Sequence, residues 1–265
     1  MIGLYHYVAM ALFSGFALLE VAAHARLFPR VSNWKLKGAA FALLYLAVGT
    51  YAPLLWDGWL GDHRLASGDQ WALWMQIASG FLLLELGVYC WHRTMHNVQP
   101  LWRWFHQMHH SAERVDIWGA FYFHPFDMIG WTLLGSLALV LGLGVSAEAA
   151  IAINLMATFC SMFQHANIHT PQWLGYFITR PESHSAHHER GVHGRNYGDV
   201  PWFDMLLGTF HNPKRFDGEV GFFEGCFRNR GAGELELPLR DVHSGHIEPV
   251  GETGDLGAVP ATEIE

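Results

Sequence analysis

Five long apolar runs, at about 4 to 25, 38 to 56, 71 to 91, 126 to 145 and 148 to 164, constrain this chain more than any other feature. About twenty apolar residues wound as a helix cross the roughly 30 Å hydrocarbon core of a bilayer. The first three runs are long enough for separate spans. The last two are near the short limit and are joined only by Gly142, Leu143, Gly144, Val145 and Ser146, which predicts a tight helical hairpin. Charged residues make up only 15% of the chain, against roughly 25% in ordinary soluble domains, so an all-α integral membrane protein is expected. No Lys or Arg precedes Arg26, and the first run exceeds the roughly 7 to 15 apolar residues of a signal peptide, so it reads as a retained anchor.

Loop charges orient the spans. Arg26, Arg30, Lys35 and Lys37 lie between the first two runs, whereas the next loop holds Arg64 among three aspartates. The positive-inside rule then makes the first loop cytoplasmic and the N-terminus external. Threading onward puts residues 92 to 125 and everything after His165 in the cytoplasm, so two regions far apart in sequence share one membrane face.

The net charge of −8 says little about partners, because eight acids against Arg240 between Glu234 and Glu265 supply all but one unit of it. No basic patch is left to offset a phosphate backbone, which argues against nucleic acid. Residues 1–230 read as a single membrane-embedded catalytic domain, and 231–265, rich in Gly, Glu and Pro, as a disordered acidic tail. Cys90, Cys160 and Cys226 share no close spacing and read as packing residues.

The chain carries 18 histidines against 16 lysines and arginines, and ten of them fall in four clusters: His92 and His96; His106, His109 and His110; His165 and His169; His184, His187 and His188. Spacings of three and four place imidazoles a turn apart on one helical face, as a helix offers two ligands to one ion. By chance roughly 0.1 copies of His-x-x-His-His are expected in such a chain, and two occur. Ten imidazoles suit two ions with about five each. Nitrogen-only coordination is compatible with iron, zinc, copper or nickel. The carboxylate di-iron pattern Glu-x-x-His and the metalloprotease pattern His-Glu-x-x-His are both missing from the sequence.

From Glu85 to Phe210 the four boxes, with Phe123-His124-Pro125-Phe126-Asp127 between them and Asn196-Tyr197-Gly198 and Trp202 to Thr209 after them, resemble the fatty acid hydroxylase and sterol desaturase superfamily. That resemblance implies a membrane enzyme whose cytoplasmic, helical, His-rich cap holds two iron ions and uses molecular oxygen to hydroxylate, desaturate or oxidise a C–H bond of a sterol or fatty-acyl lipid. Zinc is a metal such a site can carry as purified. The resemblance carries metal ligation to His92, His96, His106, His109, His110, His165, His169, His184, His187 and His188, and implies supporting roles for His124 and His193.

Imidazole ligands need an acceptor for the other ring nitrogen. Nearness in sequence nominates Asn167, Glu182, Glu189, Asp199 and Asp204, and Glu85 stands two helical turns before His92. The sequence has no flavin, haem or iron–sulfur motif, so electrons are expected from a separate donor such as a ferredoxin or a cytochrome with its reductase. Two alternatives compete: a di-zinc membrane hydrolase working through metal-bound hydroxide, and a membrane metal transporter. Transporters place ligands near the bilayer midplane, whereas these histidines lie at span ends on one side, and the resemblance disfavours the hydrolase.

Overall fold

The computed structural model describes residues 3–222. The expected acidic tail, 231–265, lies outside the described residues. Ten α-helices appear in chain order: α1 (Leu4–Ala23), α2 (Trp34–Tyr51), α3 (Asp57–Asp62), α4 (Leu73–Asn97), α5 (Gln99–Leu101), α6 (Gln107–His110), α7 (Pro125–Ser136), α8 (Ala147–His165), α9 (Pro181–His187) and α10 (Trp202–Leu207). Single-turn 3-10 and π segments fill the gaps, and no strand is formed among the described residues.

Five stretches are long and apolar enough to cross a membrane: Leu4–Ala23, Trp34–Leu55, Leu73–Asn97, Pro125–Gly142 and Ala147–His165. Their outer faces expose large apolar side chains such as Leu18, Leu43, Leu82, Ile151 and Phe159. Water would penalise that much apolar surface, and lipid does not. The chain is thus a membrane protein. The fourth and fifth stretches form the expected hairpin, α7 continuing through a π-helical turn at Leu137–Gly142. Gly144 turns the chain with φ +58°, where a Cβ would also meet the Ala66 carbonyl at 2.5 Å.

The hairpin sets the geometry of everything that follows. It returns α8 parallel to α4, so both helices deliver their C-terminal turns to the same membrane face. The two pack closely at Gly80, where a Cβ would stand 2.5 Å from Ile153 Cδ1. Phe81, Leu84, Val88, Leu139, Ile153 and Cys160 form the apolar core between α4, the hairpin and α8. A second core joins α1 and α2 to Ile117–Phe123 and α7.

One boundary departs from the hydropathy reading. The apolar run ends near residue 91, but α4 continues unbroken to Asn97. The first histidine box is therefore the last turns of the span itself, fixed by the same backbone hydrogen bonds that hold the membrane helix.

Candidate metal centre

His92 and His96 lie one turn apart on α4, and both face inward. After α5 the chain runs through a π-helical turn, Trp102–His106, directly into α6. That wider turn points His106 at the α4 pair while His109 and His110, adjacent on a helix and so about 100° apart, diverge. The same divergence separates His187 from His188 at the end of α9. Each His-His pair thus supplies one imidazole to each of two groups.

The first group is His92, His96, His106, His110 and His187, and the second is His109, His165, His184 and His188; within each, the ligand atoms all lie within 4.8 Å of one another. All nine residues are buried. The rings of His110 and His188 stack at 4.0 Å between the groups, so the two share a wall.

Hydrogen bonds on the far ring nitrogens decide which atoms face inward. Nδ1 of His92 lies 2.7 Å from the Tyr197 carbonyl, Nδ1 of His165 2.7 Å from the Ser161 carbonyl, and Nδ1 of His187 2.7 Å from the Arg195 carbonyl. His106 Nδ1 lies 2.8 Å from Asp127 Oδ2, with both side chains buried. Carbonyls and carboxylates only accept, so each of these four rings carries its proton on Nδ1 and turns a bare Nε2 lone pair inward.

The inward nitrogens fit a cation and little else. Nε2 of His92 and His106 and both ring nitrogens of His96 are buried without a protein hydrogen-bond partner. His165 Nε2 stands 3.1 Å from His109 Nε2 and 3.0 Å from His184 Nε2, and His187 Nε2 stands 3.1 Å from His110 Nε2. Imidazole nitrogens each bound at about 2.1 Å to one ion would stand roughly 3 to 3.4 Å apart. Burial, reinforced by the neighbouring imidazoles, holds His106, His109, His110, His184, His187 and His188 well below the ordinary imidazole range. They are neutral near pH 7, as metal ligands must be.

His169 stands outside both groups, its side chain 59% exposed and its Nδ1 3.8 Å from Glu182 Oε1. Helix α8 ends at His165 and the backbone turns extended at Ala166, so the two histidines do not share a helical face. His124 caps α7, accepting from Phe126 N–H at 3.2 Å. His193 packs against Trp102, His96 and His110 at the edge of the five-histidine group, its Nδ1 buried without a partner, and burial pulls it down to about 4.

Asn167 joins the loop after α1 to the loop after α8: its Oδ1 accepts from Arg26 N–H and its Nδ2 donates to the Arg26 carbonyl. Asp199 accepts from Gln164 and Ser161, and Glu85 accepts from Val200 N–H at 3.2 Å. Glu182 holds Thr170 and Arg180, Glu189 holds Arg195, and Asp204 holds the backbone N–H groups of Tyr197 and Gly198. Sequence reasoning missed Asp127 as the partner of His106, although a lone acid in the first turn of an apolar span was the available signal. The three carbonyl acceptors carry no residue-type signal at all.

Comparison with known proteins agrees with this geometry. The family model described as fatty acid hydroxylase matches residues 77–209, half of the chain and a stretch that contains all nine clustered histidines. The chain belongs to the fatty acid hydroxylase family. Over 178 residues it is 33% identical to the ornithine lipid hydroxylase of Rhizobium tropici, covering 64% of this chain and 53% of that protein. It is 26% identical to a Delta(7)-sterol-C5(6)-desaturase of Nicotiana tabacum, covering 61% and 59%, and 29% identical to an alkylglycerol monooxygenase of Danio rerio, covering 59% and 34%. The chain thus spans about half the length of the curated relatives it matches. No solved structure matches it.

Proposed function

We propose that this chain is an oxygen-dependent oxidoreductase that hydroxylates a membrane lipid at a di-iron centre held by the nine clustered histidines. The observation that carries this reading is the pair of buried, neutral imidazole groups with inward lone pairs at the shared end of α4 and α8. Two irons, when bound, supply the redox chemistry that activates molecular oxygen toward an unactivated C–H bond. Zinc lacks that redox capacity, which leaves the hydrolase reading without support from the family.

The chain's own groups prepare the site. The Tyr197, Ser161 and Arg195 carbonyls and Asp127 hold four imidazoles in one tautomer and one orientation. Tyr197 and Trp131 cover His92 with ring contacts of 5.7 and 5.8 Å and keep water from its face. A lipid enters sideways from the bilayer, since His92, His96 and His165 occupy the last turns of two spans. Relatives named as hydroxylase and monooxygenase support hydroxylation, and the ornithine lipid hydroxylase supports a polar acyl lipid over a sterol. Loop charges support a cytoplasmic site, supplied with electrons by a separate donor such as a ferredoxin or a cytochrome with its reductase.

Metal analysis of detergent-purified protein, followed by oxygen uptake with a reductant and total membrane lipid, tests this. About two irons per chain and lipid-dependent oxygen uptake are expected. An iron-reconstituted protein that consumes no oxygen with any lipid pool and a competent reductant overturns the reading.

A further inference from the structure

Helix α4 serves as a depth gauge, because each residue advances 1.5 Å along its axis. His92 Nδ1 donates to the Tyr197 carbonyl, which fixes Tyr197 at the level of the first histidine box. Three residues later Val200 N–H donates to Glu85, seven positions earlier on α4 and about 10 Å deeper along the span. The chain then rises: the Thr209 hydroxyl lies 3.2 Å from the Tyr89 hydroxyl, and Asn196 N–H donates to the Thr209 carbonyl. Residues 197 to 209 therefore dip along the span and return.

A second segment joins them at depth. Thr179 N–H donates to the Asp199 carbonyl, and Ile178 and Val200 pack on the apolar core built from Phe81, Leu84 and Val88 of α4. The outward side chains of both segments are apolar: Trp173, Tyr176, Phe177, Trp202, Leu206 and Leu207 are all exposed, Leu206 by 76%. Neither 172–178 nor 197–209 contains any charged residue except Asp199 and Asp204, both of which are buried and hydrogen-bonded within the protein.

We propose that residues 172–178 and 197–209 form a re-entrant wall lying within the bilayer beside α4, with lipid hydrocarbon as its partner. Irregular backbone is tolerated at membrane depth only where protein groups satisfy it. Asp204 does this for Tyr197 and Gly198 N–H at 2.8 Å each, and Glu85 for Val200 N–H. This explains why two buried acids sit in an apolar setting while the outward face carries none. The exposed aromatics continue the lipid-facing surface of the spans instead of forming an aqueous cap. The inference rests on α4 crossing the bilayer and not on the chemistry at the histidines.

The test uses the full chain with Cys90, Cys160 and Cys226 replaced, spin-labelled singly at Leu206→Cys or Trp173→Cys and reconstituted in phosphatidylcholine–phosphatidylglycerol nanodiscs. Power saturation compares relaxation by oxygen, which partitions into lipid, with relaxation by chromium oxalate, which stays in water. Leu82→Cys on the outer face of α4 is the lipid reference, and Lys214→Cys is the water reference. Both wall positions are expected to match Leu82→Cys, with oxygen access severalfold above chromium oxalate access. Chromium oxalate access equal to that of Lys214→Cys overturns the proposal in favour of an aqueous surface. Protection from both reagents overturns it in favour of a protein partner, such as a second copy. Two independent positions keep the test valid if one variant misfolds, and metal content plays no part in the readout.

Discussion

Replacing Asp127 separates the two histidine groups experimentally. Its Oδ2 is the acceptor for His106 Nδ1 at 2.8 Å, both side chains are buried, and His106 belongs to the five-histidine group alone. Asp127→Ala leaves a buried N–H unpaired, at about 1–3 kcal/mol, and frees the ring to rotate or change tautomer. Loss of such an orienting partner typically weakens metal binding about 10- to 100-fold, or about 1.4–2.7 kcal/mol. Asp127→Asn keeps an acceptor oxygen but loses its charge, so its effect falls at the lower end. The assay is chelator competition on metal-loaded protein in detergent, with metal per chain measured at each chelator concentration. The alanine variant is expected to release one metal early while the second, held by His109, His165, His184 and His188, follows the parent curve. Equal loss of both metals, or an unchanged release curve, would refute the assignment of Asp127 to one group.

Three further outcomes follow from the same geometry. His169→Ala should keep its full metal complement and its oxygen uptake within about twofold, since an exposed side chain outside both groups has little to lose; metal analysis checks this. Glu20→Ala should lower stability by about 2–6 kcal/mol, because Glu20 Oε1 accepts from Ile117 N–H and Asn167 N–H at 2.7 Å each, whereas Glu20→Gln, which retains an acceptor, should cost far less; thermal melts of both variants in detergent decide it. Metal-free protein should lose stability as pH falls below about 6.5, the unfolded-chain value. His106, His109, His110, His184, His187, His188 and His193 stay neutral when folded but protonate when unfolded, so the unfolded state binds more protons. Each contributes about 1.4 kcal/mol per pH unit down to its folded value; melts from pH 7.5 to 5 measure the slope, and a flat profile contradicts the burial of these rings.

Much of this protein is determined locally and is therefore legible in sequence. A span needs only about twenty apolar residues in a row, and a helical ligand pair needs only a spacing of three or four, so the five apolar stretches and the boxes at 92–96, 106–110 and 184–188 can be read directly. The hairpin, too, is implied by the five residues, Gly142 to Ser146, that join two apolar runs. The spacing rule misplaced His169 because it assumed a continuous helix, and α8 stops at His165.

What only the tertiary structure decided is the partition of imidazoles between two groups and the identity of what orients them. Neighbouring residues such as His109 and His110 go to different groups because a helix turns about 100° between them; which group each joins depends on where α4, α8 and α9 meet. The orienting acceptors are backbone carbonyls of Ser161, Arg195 and Tyr197, common to every residue type and hence silent in a sequence, plus one aspartate 21 positions from its partner. The dip of residues 197–209 along α4 is likewise a long-range arrangement. Chemical type and periodicity are written along the chain, whereas convergence of groups a hundred residues apart arises only when the helices pack.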